Sequence, residues 1–244
     1  MKRICLALML PAAIAAQPQN AAPAISLVQT KGGGTAGVPM QIIILLTLLT
    51  ILPAVIMSVT PFLRITVVLH FLRQALGTQG TPSNQVLIGL ALFLTILIMQ
   101  PVVMDMYHKG WEPYENGQAS WQQAFDDGTQ PLKAFLVRYV REKDVKLFLD
   151  VSHTSVPKRP SDLGLAVLVP AYVLSELKTG FQIGAVLFLP FLIIDLVVAS
   201  VTLSIGMVQL PPIMLSAPFK ILLFVLVDGW NLVVGSLIRS FYQT

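Results

Sequence analysis

Residues 183–203 read IGAVLFLPFLIIDLVVASVTL, and this stretch decides the fold class. Roughly 20 apolar residues rising about 1.5 Å each are enough to cross the hydrocarbon core of a bilayer. Pro190 and Asp195 stand near its middle. The proline removes a backbone donor and is expected to kink the helix. The carboxylate costs at least about 2.5 kcal/mol in lipid unless a partner or water meets it. A plain anchor needs neither residue, so the stretch is expected to pack against protein and to line something. It follows a charged turn, SELKTG (175–180), and leads into a glycine-proline break, GMVQLPP (206–212).

Working outward, 55% of the 244 residues are hydrophobic and 11% are charged, against about a quarter charged in soluble domains. The class is all-α and integral-membrane-type, since lipid admits helices with internally satisfied backbones. A net charge of +4 without a basic-aromatic stripe gives no reason to expect nucleic acid. The single cysteine, Cys5, falls in a segment expected to be removed. The mature chain then offers no disulfide, thiolate nucleophile or zinc-thiolate site.

Residues 1–16 carry Lys2 and Arg3, an apolar run and a small-residue end, the layout of a cleavable signal peptide. Residues 17–40, rich in glycine and proline, read as a flexible tail. Residues 41–106 form apolar helices: 41–59 interrupted at Pro53, 62–76 stopping at Gly77, and 85–106. Arg64 and Arg73 fall on opposite faces of the second. Residues 107–162 hold eight Lys/Arg and eight Asp/Glu and read as a small charged helical domain outside the cytoplasm. Within it, Pro131 starts a helix, and Arg141-Glu142-Lys143-Asp144 reads as a solvated face. Residues 163–244 return to apolar helices around the break 206–218, the last running from Phe219 to about Ile238. This topology puts more basic charge outside than inside, against the usual preference for short loops.

No catalytic set is present. His70, His108 and His153 have no ligand spacing, no phosphate loop or HExxH occurs, and no cofactor is expected. The ionisable residues among apolar helices stand out instead: Arg64, Glu176, Lys178, Asp195, Lys220 and Asp228. They mark either a functional site or inter-helix and inter-subunit ion pairs. Glu176 and Lys220 are expected to pair, across a subunit boundary. Phe135 and Phe148 are expected to bridge neighbouring copies. The break 206–218 reads either as a constriction or as a turn between helices.

Several strings carry a resemblance: PSNQVLIGLALFLT (82–95), VREKDVKLF (140–148), SELKTGFQIG (175–184), PFLIIDLVVAS (190–200), PFKILLFVLVDGW (218–230) and GSL (235–237). Together they resemble the FliP family, the flagellar export-gate proteins of type III secretion, from Gln41 to Phe241. The resemblance implies a non-enzymatic core subunit of the bacterial inner membrane and flagellar basal body. It implies a pentameric ring joined to FliQ-like and FliR-like subunits in a helical oligomeric cone, through which unfolded flagellar substrates cross. Much of the chain would lie on the periplasmic side. FlhB-like and FlhA-like components would lie at the entrance, with a FliO-like assembly factor. It also places a sealing gasket at Met207, Val208, Gln209 and Leu210, where this chain has one methionine instead of the family's run. A secondary transporter subunit using Asp195 and Asp228 is the competing reading. Too few apolar segments and no inverted repeat count against it.

Overall fold

The computed structural model describes residues 38–78, 80–153, 159, 162–206 and 211–242. The expected signal peptide (1–16), most of the tail (17–37) and the gasket positions Met207 to Leu210 lie outside the described residues. The described residues up to 50 and those from 51 onwards form two separate units. All regular structure among the described residues is helical.

Helix α1 (Val38–Ser58) carries no ionisable side chain and continues through Pro53 without interruption. Helix α2 (Phe62–Leu76) ends where Gly77 turns left-handed at φ +69°, its N–H bonded to the Gln74 carbonyl. Glycine takes that conformation without a Cβ penalty. Helix α3 (Asn84–Met106) leads through a π-helical turn (Tyr107–Trp111) into the short α4 (Glu112–Glu115). Helix α5 (Trp121–Tyr139) starts well before the expected Pro131. Ser120 and Gln123 form a reciprocal capping box there, which fixes the start more strongly than the proline does. Helix α6 (Glu142–Val151) follows.

Helix α7 (Leu165–Ser204) is one helix of 40 residues, about 60 Å long, continuous through Pro170 and Pro190. The expected final helix is in fact two, α8 (Pro212–Leu226) and α9 (Gly229–Tyr242), bent by 65°. The corner is at Asp228, whose φ is +52°.

Within residues 51–244, α2 lies along the first half of α7. A Cβ on Gly180 would sit 3.1 Å from Val67, and one on Gly184 would sit 2.6 Å from the Phe71 ring. These two glycines let the helices approach closely. Ile65, Val68, Leu69 and Leu72 of α2 are buried with Leu168 and Tyr172 of α7 and Leu87 and Ala91 of α3. Helices α5 and α6 pack on α7, so the charged stretch 107–162 shares this core through Phe135, Leu136 and Leu149. The second half of α7 is different. Leu189, Ile193, Leu196, Val197 and Val201 are all more than half exposed.

Candidate functional site: ion pairs carried by one long helix

Three side chains of α7 that the sequence singled out, Glu176, Lys178 and Asp195, each tie this helix to a different element. The first tie is the most buried. Arg64 of α2 donates from Nε to Glu176 Oε2 (2.8 Å) and from Nη2 to Glu176 Oε1 (2.5 Å). Its Nη1 donates to Ser240 Oγ of α9 at 3.2 Å. Arg64 is 4% exposed and Glu176 0%. A planar guanidinium suits such a two-point grip, where a lysine would make only one contact. The guanidinium also lies 4.1 Å from the Phe241 ring centroid and 5.6 Å from that of Tyr139. The Tyr139 hydroxyl donates to the Phe241 carbonyl, so the last turn of α9 closes over the pair. Among the described residues, no hydrogen-bond partner meets the nearby buried Tyr172 hydroxyl.

In the second tie, Lys220 of α8 donates to Asp195 Oδ2 at 2.7 Å and to the Ala75 carbonyl at 3.0 Å. That carbonyl is among the last of α2, where a cation also meets the negative end of the helix dipole. Ser216, one turn before Lys220, donates to Asp195 Oδ1 at 2.5 Å. Asp195 is thereby held by two groups of α8, and Lys220 joins three helices.

The third tie is one the sequence did not reveal. Asp144 of α6 accepts from Lys178 Nζ and, at 2.8 Å, from Ser175 Oγ. It is 1% exposed, a correction to the expected solvated face. The 3.6-residue spacing of Asp144 with Val145, Phe148 and Leu149 marks the inward side of α6 and was the available signal. Burial alone raises the Asp144 carboxyl. Hydrogen bonds from Lys178 and Ser175, with the charges of Lys178 and Arg141, outweigh it and hold the pKa below its ordinary value. Arg141 extends the tie along α7, donating to Thr179 Oγ1 (3.0 Å) and Gln182 Oε1 (2.6 Å).

Two expectations need correction. Glu176 and Lys220 do not pair; they sit in separate ties whose α7 members are about 28 Å apart along the helix. Phe135 is 8% exposed and faces this chain's own core, with its ring 4.9 Å from Tyr139 and 6.2 Å from Tyr172. Phe148 is half-buried and lines a shallow groove with Pro170, Val173 and Leu174. Asp228 stands apart from the ties: it is exposed at the α8–α9 corner and accepts from Asn231 Nδ2 at 3.1 Å. His70 meets Arg73, and His108 meets Glu112 on the surface. Among the described residues no cluster of His, Cys, Asp or Glu could hold a metal ion.

Among the described residues three helical stretches are long and apolar enough to cross a membrane: Met40–Ser58, Asn84–Glu115 and Leu165–Ser204. With its long apolar helices, the chain is an all-α membrane protein. The sequence profile of the FliP family matches residues 45–237. The chain is 47% identical over 220 residues to the flagellar biosynthetic protein FliP of Cereibacter sphaeroides, covering 90% of this chain and 73% of that protein. It is 48% identical to the FliP proteins of Pectobacterium carotovorum and Bacillus subtilis, over 87% and 83% of this chain and 83% and 91% of theirs. The chain belongs to the FliP family. Membership gives it a part in flagellar protein export and no enzymatic one.

Proposed function

We propose that this chain is a core subunit of the flagellar type III export gate in the bacterial inner membrane. Five copies would form a ring with FliQ-like and FliR-like subunits, giving unfolded flagellar proteins a route across. FlhB-like and FlhA-like components would meet the entrance, a FliO-like factor would assist assembly, and residues 107–162 would face the periplasm. The observation that carries this reading is the split between answered charges and unanswered apolar surface on α3, α7 and α8. A freestanding carrier would need a carboxylate open to its cargo, whereas both Asp195 oxygens are taken by Lys220 and Ser216. Met207, Val208, Gln209 and Leu210 would form the collar that excludes water and ions, since narrow apolar constrictions dewet.

The test is co-expression with the FliQ-like and FliR-like subunits, followed by native mass measurement and ion-flux assays. A large mixed complex is expected, and deletion of residues 207–210 should leave it assembled but leaky. A monomer or small homo-oligomer that never takes up the other subunits would remove the gate reading. A deleted complex that stays tight would move the seal elsewhere.

A further inference from the structure

An aromatic groove lies between the π-helical turn with α4 and the first turns of α5, and none of the ties uses it. The π-helical turn Tyr107–Trp111 inserts extra backbone just before α4. Such bulges re-aim the side chains that follow them and recur at functional sites. Gly110 in this turn meets Gly128 of α5 almost backbone to backbone: a Cβ on Gly110 would sit 2.7 Å from the Gly128 Cα. The two glycines form a low floor. Trp111, Tyr114, Trp121 and Phe125 rise around it and line one groove.

These rings are displayed rather than packed. Trp111 is 53% exposed, Tyr114 42%, Trp121 60% and Phe125 57%. They nevertheless support one another: Tyr114 lies 5.6 Å from Trp121, edge to face, and 6.1 Å from Trp111. Holding large apolar rings in water in a fixed arrangement gives the isolated chain nothing. Rigid aromatic rings of this kind are the usual anchors of protein interfaces.

Charge selects the occupant. Asp105, Glu112, Glu115, Asp126 and Asp127 share this stretch with Lys109 alone, although the whole chain is net positive. The carboxylates of Glu115, Asp126 and Asp127 make no ion pair among the described residues. Lysine and arginine, which draw a surface to anionic headgroups, are outnumbered here by carboxylates. Rings whose neighbours along the chain are carboxylates, Glu115 after Tyr114 and Asp126 after Phe125, suit a guanidinium, which can stack on a ring and hydrogen-bond to an acid.

We propose that the groove of Trp111, Tyr114, Trp121 and Phe125 docks an arginine-bearing segment of a partner protein. The test uses the full chain in detergent and a fluorescein-labelled peptide of alternating arginine and glycine, followed by anisotropy, with lysine and glutamate peptides of equal length. The arginine peptide should bind saturably, the lysine peptide more weakly and the glutamate peptide not at all. Trp111→Ala/Trp121→Ala should weaken binding by at least about tenfold, the loss of one to two buried aromatic anchors. Asp126→Asn/Asp127→Asn, which leaves the rings intact, should weaken it less and flatten its salt dependence. Equal binding of the glutamate peptide would overturn the proposal, as would unchanged arginine-peptide binding by the two double variants. In nanodiscs of brominated phosphatidylglycerol, quenching that disappears in Trp111→Phe/Trp121→Phe would place the rings in lipid and overturn it too.

Discussion

The two halves of α7 have opposite surroundings, one packed and one open. In the first half Val167, Leu168, Ala171, Tyr172, Ser175, Glu176, Gly180 and Gly184 are buried against α2, α5 and α6; in the second only Phe191 and Thr202 are. The first half is also the less apolar, but hydropathy alone does not say which helix it meets. What does is the small and polar residues at the contact, glycines that admit α2 and a glutamate that meets its arginine. The second half is mostly large aliphatic side chains, with one half-buried carboxylate, Asp195. The first half is therefore the chain's own scaffold, and the second is surface awaiting a neighbour or lipid.

The largest effect expected from this contrast is at Glu176. Replacing it with alanine strands Arg64 where water cannot reach, and breaking such a pair costs about 3–5 kcal/mol. Denaturant unfolding of the purified chain should show this loss. Arg64→Met with Glu176→Leu should recover most of it, since no charge is then left alone. If Glu176→Ala unfolds no more easily than the parent, the first half is not the scaffold.

Lys220→Met should cost less, about 2–3 kcal/mol, because the Asp195 side chain is 22% accessible and water can partly replace the lysine. Equal losses at the two sites would erase the distinction between the halves. Gly184→Ala drives a methyl into the Phe71 ring and should cost about 1–2 kcal/mol, relieved by Phe71→Ala. Gly89→Ala in α3 meets nothing within 4 Å and should cost nothing.

A pH series probes the third tie. The folded Asp144 pKa is depressed, so its stabilisation is complete above the ordinary carboxylate value near about 3.9 and is lost as pH falls through the folded value. Asp144→Asn should flatten that acid limb while changing the slope at neutral pH little. Smallest of all, Leu196→Ser or Val197→Ser should shift the isolated chain by less than about 0.5 kcal/mol. The same variants should reduce recovery of the mixed complex with the FliQ-like and FliR-like subunits. A marked loss in the isolated chain would mean the second half is already packed within it.

Much of this was legible beforehand, and the gaps have physical causes. The helix Phe62–Leu76 with its glycine stop was read correctly, because local chemistry ends it. Arg64, Glu176, Lys178, Asp195 and Lys220 stand out in the sequence because a charge among apolar residues must be answered, and each takes part in an ion pair between helices. Their partners were not legible: which helix faces which is a tertiary fact, and spacing along one helix constrains only near neighbours. Asp144 was hidden in a run of alternating charge whose outward members outnumber it. Pro190 does not end α7, because the one hydrogen bond it removes leaves the flanking turns able to continue. Asp228, expected among the paired charges, instead takes a left-handed corner that asparagine and aspartate tolerate better than other side chains.

The closure of α9 over Arg64 has a bearing on synthesis. Arg64 and Ser240 are separated by 176 positions, so nearly the whole described chain must emerge before that contact can form. Until then the guanidinium and Glu176 meet in a site open on one side, and closing so long a loop is entropically costly. The pair is thus held loosely on the ribosome and sealed at the end. A nascent chain halted before residue 240 would expose this charged seam to whatever surveys unfinished membrane proteins.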